Sequence, residues 1–74
     1  MNLSTCSLGR DAQIVGLDVE PGLGLRMSEL GLRVGAVVRV VQHGGASGRV
    51  VAVGADRLFL DLDACRSVRL APAW

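Results

Sequence analysis

LGLRMSELGLRVGAVVRVV, residues 23–41, decides how this chain of 74 residues folds. Leu23, Met27 and Leu30 recur at i, i+4 and i+7. That spacing sets three apolar side chains on one inward face of a short helix. Gly31 follows the last of them. A glycine there stops a helix, because it enters the left-handed region without a Cβ clash. The spacing therefore predicts a positive φ at Gly31, with Leu32 folding back onto Met27 in a Schellman-type cap. Gly35 and the β-branched run 37–41 come next. The chain leaves a helix, turns tightly and enters a buried strand.

Outward from that stretch the chain reads as short strands and tight turns. A first strand over 12–19 is broken by Pro21-Gly22, which leads into the helix. A second strand over 36–42 has Val38 and Val40 on one face and Val37, Arg39 and Val41 on the other. His43-Gly44-Gly45-Ala46 supplies turn chemistry before a third strand at 48–53. Gly54-Ala55-Asp56 makes the next turn. Over 57–62, Leu58, Leu60 and Leu62 point one way and Phe59 and Asp61 the other. Residues 63–66 form about one helical turn, and 67–70 close as a fifth strand with Val68 and Leu70 inward. The tail 71–74 carries a proline and is expected to fray. The expectation is one mainly β domain over 1–74. Its form is a small SH3-like barrel of about five strands, with one short α-helix between the first and second strands. Closing the sheet removes exposed edges, which a valine-rich chain must manage.

Half of the residues are apolar, so a compact core needs no staples even near the lower size limit for a domain. Two cysteines are too few for a disulfide framework. The polar start MNLSTCS lacks the apolar run of a signal peptide, and no stretch approaches the ~20 apolar residues that cross a bilayer. A cytoplasmic protein without direct membrane insertion is expected. All eight basic residues are arginine, scattered from Arg10 to Arg69 and nearly balanced by seven acids. No basic stripe appears, and Phe59 and Trp74 are the sole aromatics. Nucleic-acid binding is therefore not expected.

Catalytic and metal chemistry find no constellation. Cys6, His43 and Cys65 are the soft metal ligands, and their spacing forms no known cluster. Both cysteines fall in periodic apolar slots and are expected to be reduced and buried. Gly22-Leu23-Gly24 precedes a helix, but a dinucleotide fingerprint needs glycine where Met27 stands, and a P-loop needs a lysine the chain lacks. Ser28, Glu29, Asp61 and Asp63 have no partner at a readable spacing. No catalytic residue, cofactor or resident metal is expected, and the chain is read as no enzyme. Gly48-Arg49-Val50 after a glycine turn resembles the KOW element. The alternative function is thus a KOW-like SH3 barrel that binds RNA or the ribosome, which the balanced charge opposes.

The helix ending L-G-L-x-x-G and running into a valine strand resembles the FeoA family. The likeness extends over nearly the whole chain. Leu3, Cys6 and Gly9 match the opening pattern of the family, and Ile14, Gly16 and Leu17 its first strand. Met27, Leu30, Gly31, Leu32 and Gly35 match the helix and turn, and Leu60, Cys65 and Val68 the closing pattern. Cys6 stands where the family has leucine, Cys65 where it has alanine, and Val34 where proline is frequent. The resemblance implies a small accessory protein of bacterial ferrous iron uptake. Such a protein binds and modulates FeoB, a membrane permease with a cytosolic GTP-binding part, and sits at the inner face of the cytoplasmic membrane when docked. It implies a monomer or weak homo-oligomer. For the docking surface, Leu25 lies out of phase with the inward face and is expected to be exposed, with Arg26 and Glu29 on the outer side. Arg33 in the following turn completes a compact apolar–cationic patch. The wall around Phe59 is the next candidate.

Overall fold

The computed structural model describes residues 1–72. Its elements follow the order β1 (Asp11–Leu17), α1 (Pro21–Glu29), β2 (Val37–His43), a 3-10 turn (Gly45–Ser47), β3 (Gly48–Val53), β4 (Asp56–Asp61), α2 (Leu62–Ser67) and β5 (Val68–Pro72). The strands form one antiparallel sheet in the order β4-β3-β2-β1-β5. Register slips between Ile14 and Gly16 in β1, and between Val40 and Gln42 in β2. Each slip inserts one residue, Val15 or Val41, and a bulge of this kind bends and twists its strand. The sheet can therefore curl around its core.

Period-two alternation fills that core. Ala12 and Ile14 of β1, Val38 and Val40 of β2, Val51 and Val53 of β3, and Val68 and Leu70 of β5 are buried. The first residues close one end. Leu3 and Cys6 are buried, the Leu3 N–H donates to the Cys65 carbonyl at 3.1 Å, and the Gly9 N–H donates to Val40 at 2.8 Å. The Leu70 N–H donates to the Met1 carbonyl at 2.7 Å, and Asn2 bridges Arg69, so the outer edge of β5 is covered. Asp61 caps α2 through its carboxylate, which accepts from the Ala64 N–H at 2.8 Å.

The turn after α1 forms as the sequence predicts. Gly31 has φ +96°, its N–H donates to Ser28 at 2.9 Å, and the Leu32 N–H donates to Met27 at 2.8 Å. These two bonds define the Schellman motif, and Met27 and Leu32 are both buried. Gly31→Ala should lower stability by on the order of 1 kcal/mol, because alanine pays for the left-handed backbone. Its Cβ would also stand 3.0 Å from Val53 Cγ1. Urea unfolding checks this, and an unchanged midpoint would contradict it.

Two expectations fail. Leu23 and Leu30 do not join Met27 in the core; both are exposed. Met27 is the one buried residue of α1, so the helix meets the barrel through its last turn alone. Leu23 lies one turn too early to reach it. Leu30 is the cap residue at φ −84°, ψ 0°, and the turn behind it swings Leu32 inward instead. Residues 71 and 72 of the tail are also more ordered than expected. Ala71 pairs with Gln13 and Pro72 with Ala12, while residues 73 and 74, including Trp74, lie outside the described residues.

Candidate partner-docking surface

Because α1 buries only Met27, its other apolar side chains face outward. Leu25 is 65% exposed, Leu30 53% and Val34 63%, with Leu23 and Val37 also exposed. Scattered exposed leucines are ordinary, but here five apolar side chains lie along one short helix, the loop that follows it and the first residue of β2. A groove of about 490 Å³ runs between the last turn of α1 and the β3–β4 turn. Glu29, Leu30, Arg33, Val37 and Asp56 are among the residues that line it. On the other flank of the helix, Leu23, Arg26 and Glu20 line a smaller hollow of about 240 Å³.

The four residues singled out in the sequence are all exposed, and they divide between these features. Glu29 and Arg33 share the groove, Arg26 lies in the hollow, and Leu25 lines neither. Leu30, Val34 and Val37 belong to the same surface. Helical spacing alone points Leu30 inward. The signal against that lies in the motif itself, since the residue just before the cap glycine ends the helix and the one just after packs back.

The arginines sort by partner. Arg39 pairs with Asp11 at 2.7 Å, Arg66 with Asp63 at 3.1 Å and Arg69 with Asp18 at 3.0 Å, all at the surface. Arg26, Arg33 and Arg57 form no ion pair among the described residues. Arg49 points elsewhere. Its guanidinium donates to the carbonyls of Gly45 at 3.3 Å, Gly48 at 3.0 Å and Ser4 at 3.2 Å. It ties the 3-10 turn to the N-terminal segment and is half-buried. The cation that carried the KOW resemblance is thus occupied by backbone oxygens rather than offered to phosphates.

Cys6 and Cys65 are buried, unpaired thiols, 4% and 0% exposed. Burial raises the thiol pKa of Cys6 against the lowering effect of Arg10. Burial raises that of Cys65 as well, with nearby Arg49 lowering it and Asp61 raising it. The unfolded chain therefore loses these protons first, near about pH 8.5. The contribution of the thiols to stability is complete below that pH and is lost as pH climbs through the folded pKa values. The chain has no lysine or tyrosine to mask the effect. Under reducing conditions the urea midpoint should fall as pH rises above about 8.5. A midpoint that rises over this range would contradict the assignment.

Among the described residues, no three His, Cys, Asp or Glu side chains converge on a point where a metal could sit. His43 is exposed at the end of β2. No described helix is long and apolar enough to cross a membrane.

The family model described as the FeoA domain matches residues 1–72. The chain belongs to the FeoA family. Solved structures agree on the fold of this FeoA domain. Iron(II) transport protein A from Clostridium thermocellum is 22% identical with a TM-score of 0.89, over 99% of this chain and 46% of that one. FeoA from Chlorobium tepidum is 21% identical with a TM-score of 0.90, over 100% of this chain and 71% of that one. FeoA from Stenotrophomonas maltophilia, solved in complex with zinc and described as a procaryotic SH3 domain protein, is 28% identical. Its TM-score is 0.81, over 96% of this chain and 89% of that one. The mainly β, SH3-like fold expected from the sequence is therefore the fold of this FeoA domain. The chain spans less than half of the Clostridium protein. A search of curated proteins finds no match.

Proposed function

We infer that this FeoA domain is a cytoplasmic accessory protein of ferrous iron transport, without catalytic activity of its own. It acts by docking on the cytosolic, GTP-binding part of a FeoB-type permease at the inner face of the membrane and modulating it. The family match over residues 1–72 carries this function. The Stenotrophomonas relative is named as a candidate ferrous iron transport activating factor, which agrees with it. Among the described residues no three His, Cys, Asp or Glu side chains group to hold a metal ion. The described residues do hold an apolar strip flanked by two arginines with no ion pair, a composition suited to a protein interface.

The docking surface is the outer side of α1 and the turn after it: Leu25, Arg26, Glu29 and Arg33, extended by Leu30 and Val34. Apolar anchors beside arginine dominate many interfaces, where removing one costs ~2 kcal/mol or more. Replacing Leu25 and Arg26 together by alanine should weaken binding to the FeoB cytosolic domain by about tenfold or more. Neither side chain is buried, so the melting temperature should hold. A titration that shows unchanged affinity for the double variant would remove this patch from the account.

A further inference from the structure

The sheet has two edges, and the chain treats them differently. The outer edge of β5 is covered by Met1 and Asn2. No described segment pairs with the outer edge of β4. Val53 faces Asp56 across the two-residue turn Gly54-Ala55, with Gly54 at φ +58°. Such a turn makes that pair hydrogen-bonded, and bonding alternates from there. Asp56, Leu58 and Leu60 therefore bond to β3, while Arg57 and Phe59 turn their N–H and C=O groups away from the sheet. An uncovered edge of this kind is a template for another strand.

The sequence of β4 fits one occupant, itself. In Asp56-Arg57-Leu58-Phe59-Leu60-Asp61, Phe59 is flanked first by two leucines and then by the opposite charges Arg57 and Asp61, so the strand is complementary to itself about Phe59. Two copies paired antiparallel about a two-fold axis at Phe59 set the two Phe59 rings opposite each other. Leu58 then faces Leu60 of the second copy. Arg57 faces Asp61 of the second copy, twice. Arg57, Phe59 and Asp61 alternate with Leu58 and Leu60, so the charged and aromatic pairs share the outer face. All three are exposed, Phe59 by 58%, while Leu58 and Leu60 are half-buried against the core. Arg57 has no ion pair among the described residues, and one carboxylate oxygen of Asp61 is committed to capping α2. The other oxygen is available to an arginine.

The register is fixed by backbone and charge together. Shifting the axis to Leu58 keeps the hydrogen-bonding phase but moves Arg57 opposite Phe59 and Asp61 opposite Ala55. That loses both ion pairs, and aromatic and opposite-charge pairs are the cross-strand pairs that stabilise sheets. We propose that this domain forms a two-fold symmetric dimer through β4, joining two five-stranded sheets into one ten-stranded sheet with Phe59 on the axis. A single six-residue strand covers well under the ~800 Å² per partner of a standard interface. The dimer is therefore weak and concentration-dependent, with a Kd in the range of about 0.1–1 mM.

Sedimentation equilibrium and amide NMR of the wild-type chain from about 10 µM to about 1 mM test this directly. Reversible dimerisation is expected, with shift changes and exchange protection at the amides of Arg57, Phe59 and Asp61. Arg57→Asp sets two carboxylates against each other at both ends of the ladder and should raise Kd by about tenfold or more. Phe59→Lys sets two ammonium groups at the axis and should abolish the dimer. Both side chains are exposed, so melting temperatures should hold and serve as the control. A chain that stays monomeric across the range, a dimer indifferent to both variants, or protection confined to the helix groove would each overturn the proposal.

Discussion

Gly48→Ala should lower the unfolding free energy by about 3 kcal/mol or more. Gly48 opens β3 at φ 152°, ψ −151°, a region essentially reserved for glycine. It is buried, and it pairs with Asp61 across the β3–β4 ladder. A Cβ added there would run into the Leu60 carbonyl oxygen and stand 2.9 Å from Asp61 Cα. Both atoms are backbone of β4, so no rotamer change relieves the clash. The strand pair must separate or the turn must rebuild. Gly45→Ala is the control three residues earlier. Gly45 has φ +62° with nothing near its Cβ position, so alanine there carries only the left-handed cost of about 1–2 kcal/mol. Urea unfolding of both variants measures the contrast. Equal losses at the two positions would show that the close approach of β4 to Gly48 does not matter.

Leu32→Ala should cost about 2–5 kcal/mol, the range for emptying a well-packed leucine site. Leu32 is fully buried, yet it lies in the turn after α1 rather than in a strand or helix. It covers the end of the core and packs in the same cluster as Met27, which holds the helix to the barrel. Losing it removes both core volume and the anchor of α1. Leu30→Ala, two residues earlier, should stay within about 0.5 kcal/mol, because Leu30 is exposed. Thermal or urea unfolding separates the two leucines. A large loss at Leu30 with a small one at Leu32 would mean that the helix packs by its 23/27/30 face after all.

These two positions mark where the sequence is legible. Alternation in β2 sets Val38 and Val40 on one face, and both are buried, because a strand in a curled sheet has one inner face and a period of two. The glycine stop at Gly31 is also legible, since its chemistry is local. The inward face of α1 is not. Helical periodicity says which side chains share a face, not how much of that face meets the barrel. A nine-residue helix with glycine at 22 and 24 and no side-chain N-cap bond meets it at one turn only. The proline of the tail suggests fraying, but Pro72 is the last residue of the edge strand β5 to pair with β1, and a strand end tolerates its missing N–H. Arg49 shows the opposite failure. As a motif it pointed outward to RNA, while the fold turns it onto three backbone carbonyls that no sequence spacing links, Ser4 being 45 residues away.

For the candidate surface, the sequence yields the residues without their arrangement. Leu25 follows from helical phase, and its exposure agrees. The split of Arg26 from Glu29 and Arg33 across two flanks depends on where the β3–β4 turn falls, which is a tertiary fact. Val34 and Val37 extend the strip because the Gly31 and Gly35 turns, both at φ +96°, carry the chain around the helix end.

Amide hydrogen exchange of this chain, alone and with the cytosolic domain of a FeoB-type permease, tests the proposed docking most directly. Dilute protein, below the range where β4 pairs with itself, keeps the two surfaces separate. The account predicts new protection over residues 21–37, with β4 unchanged. Protection confined to β4 around Phe59, or no protection at saturating FeoB domain, would contradict it.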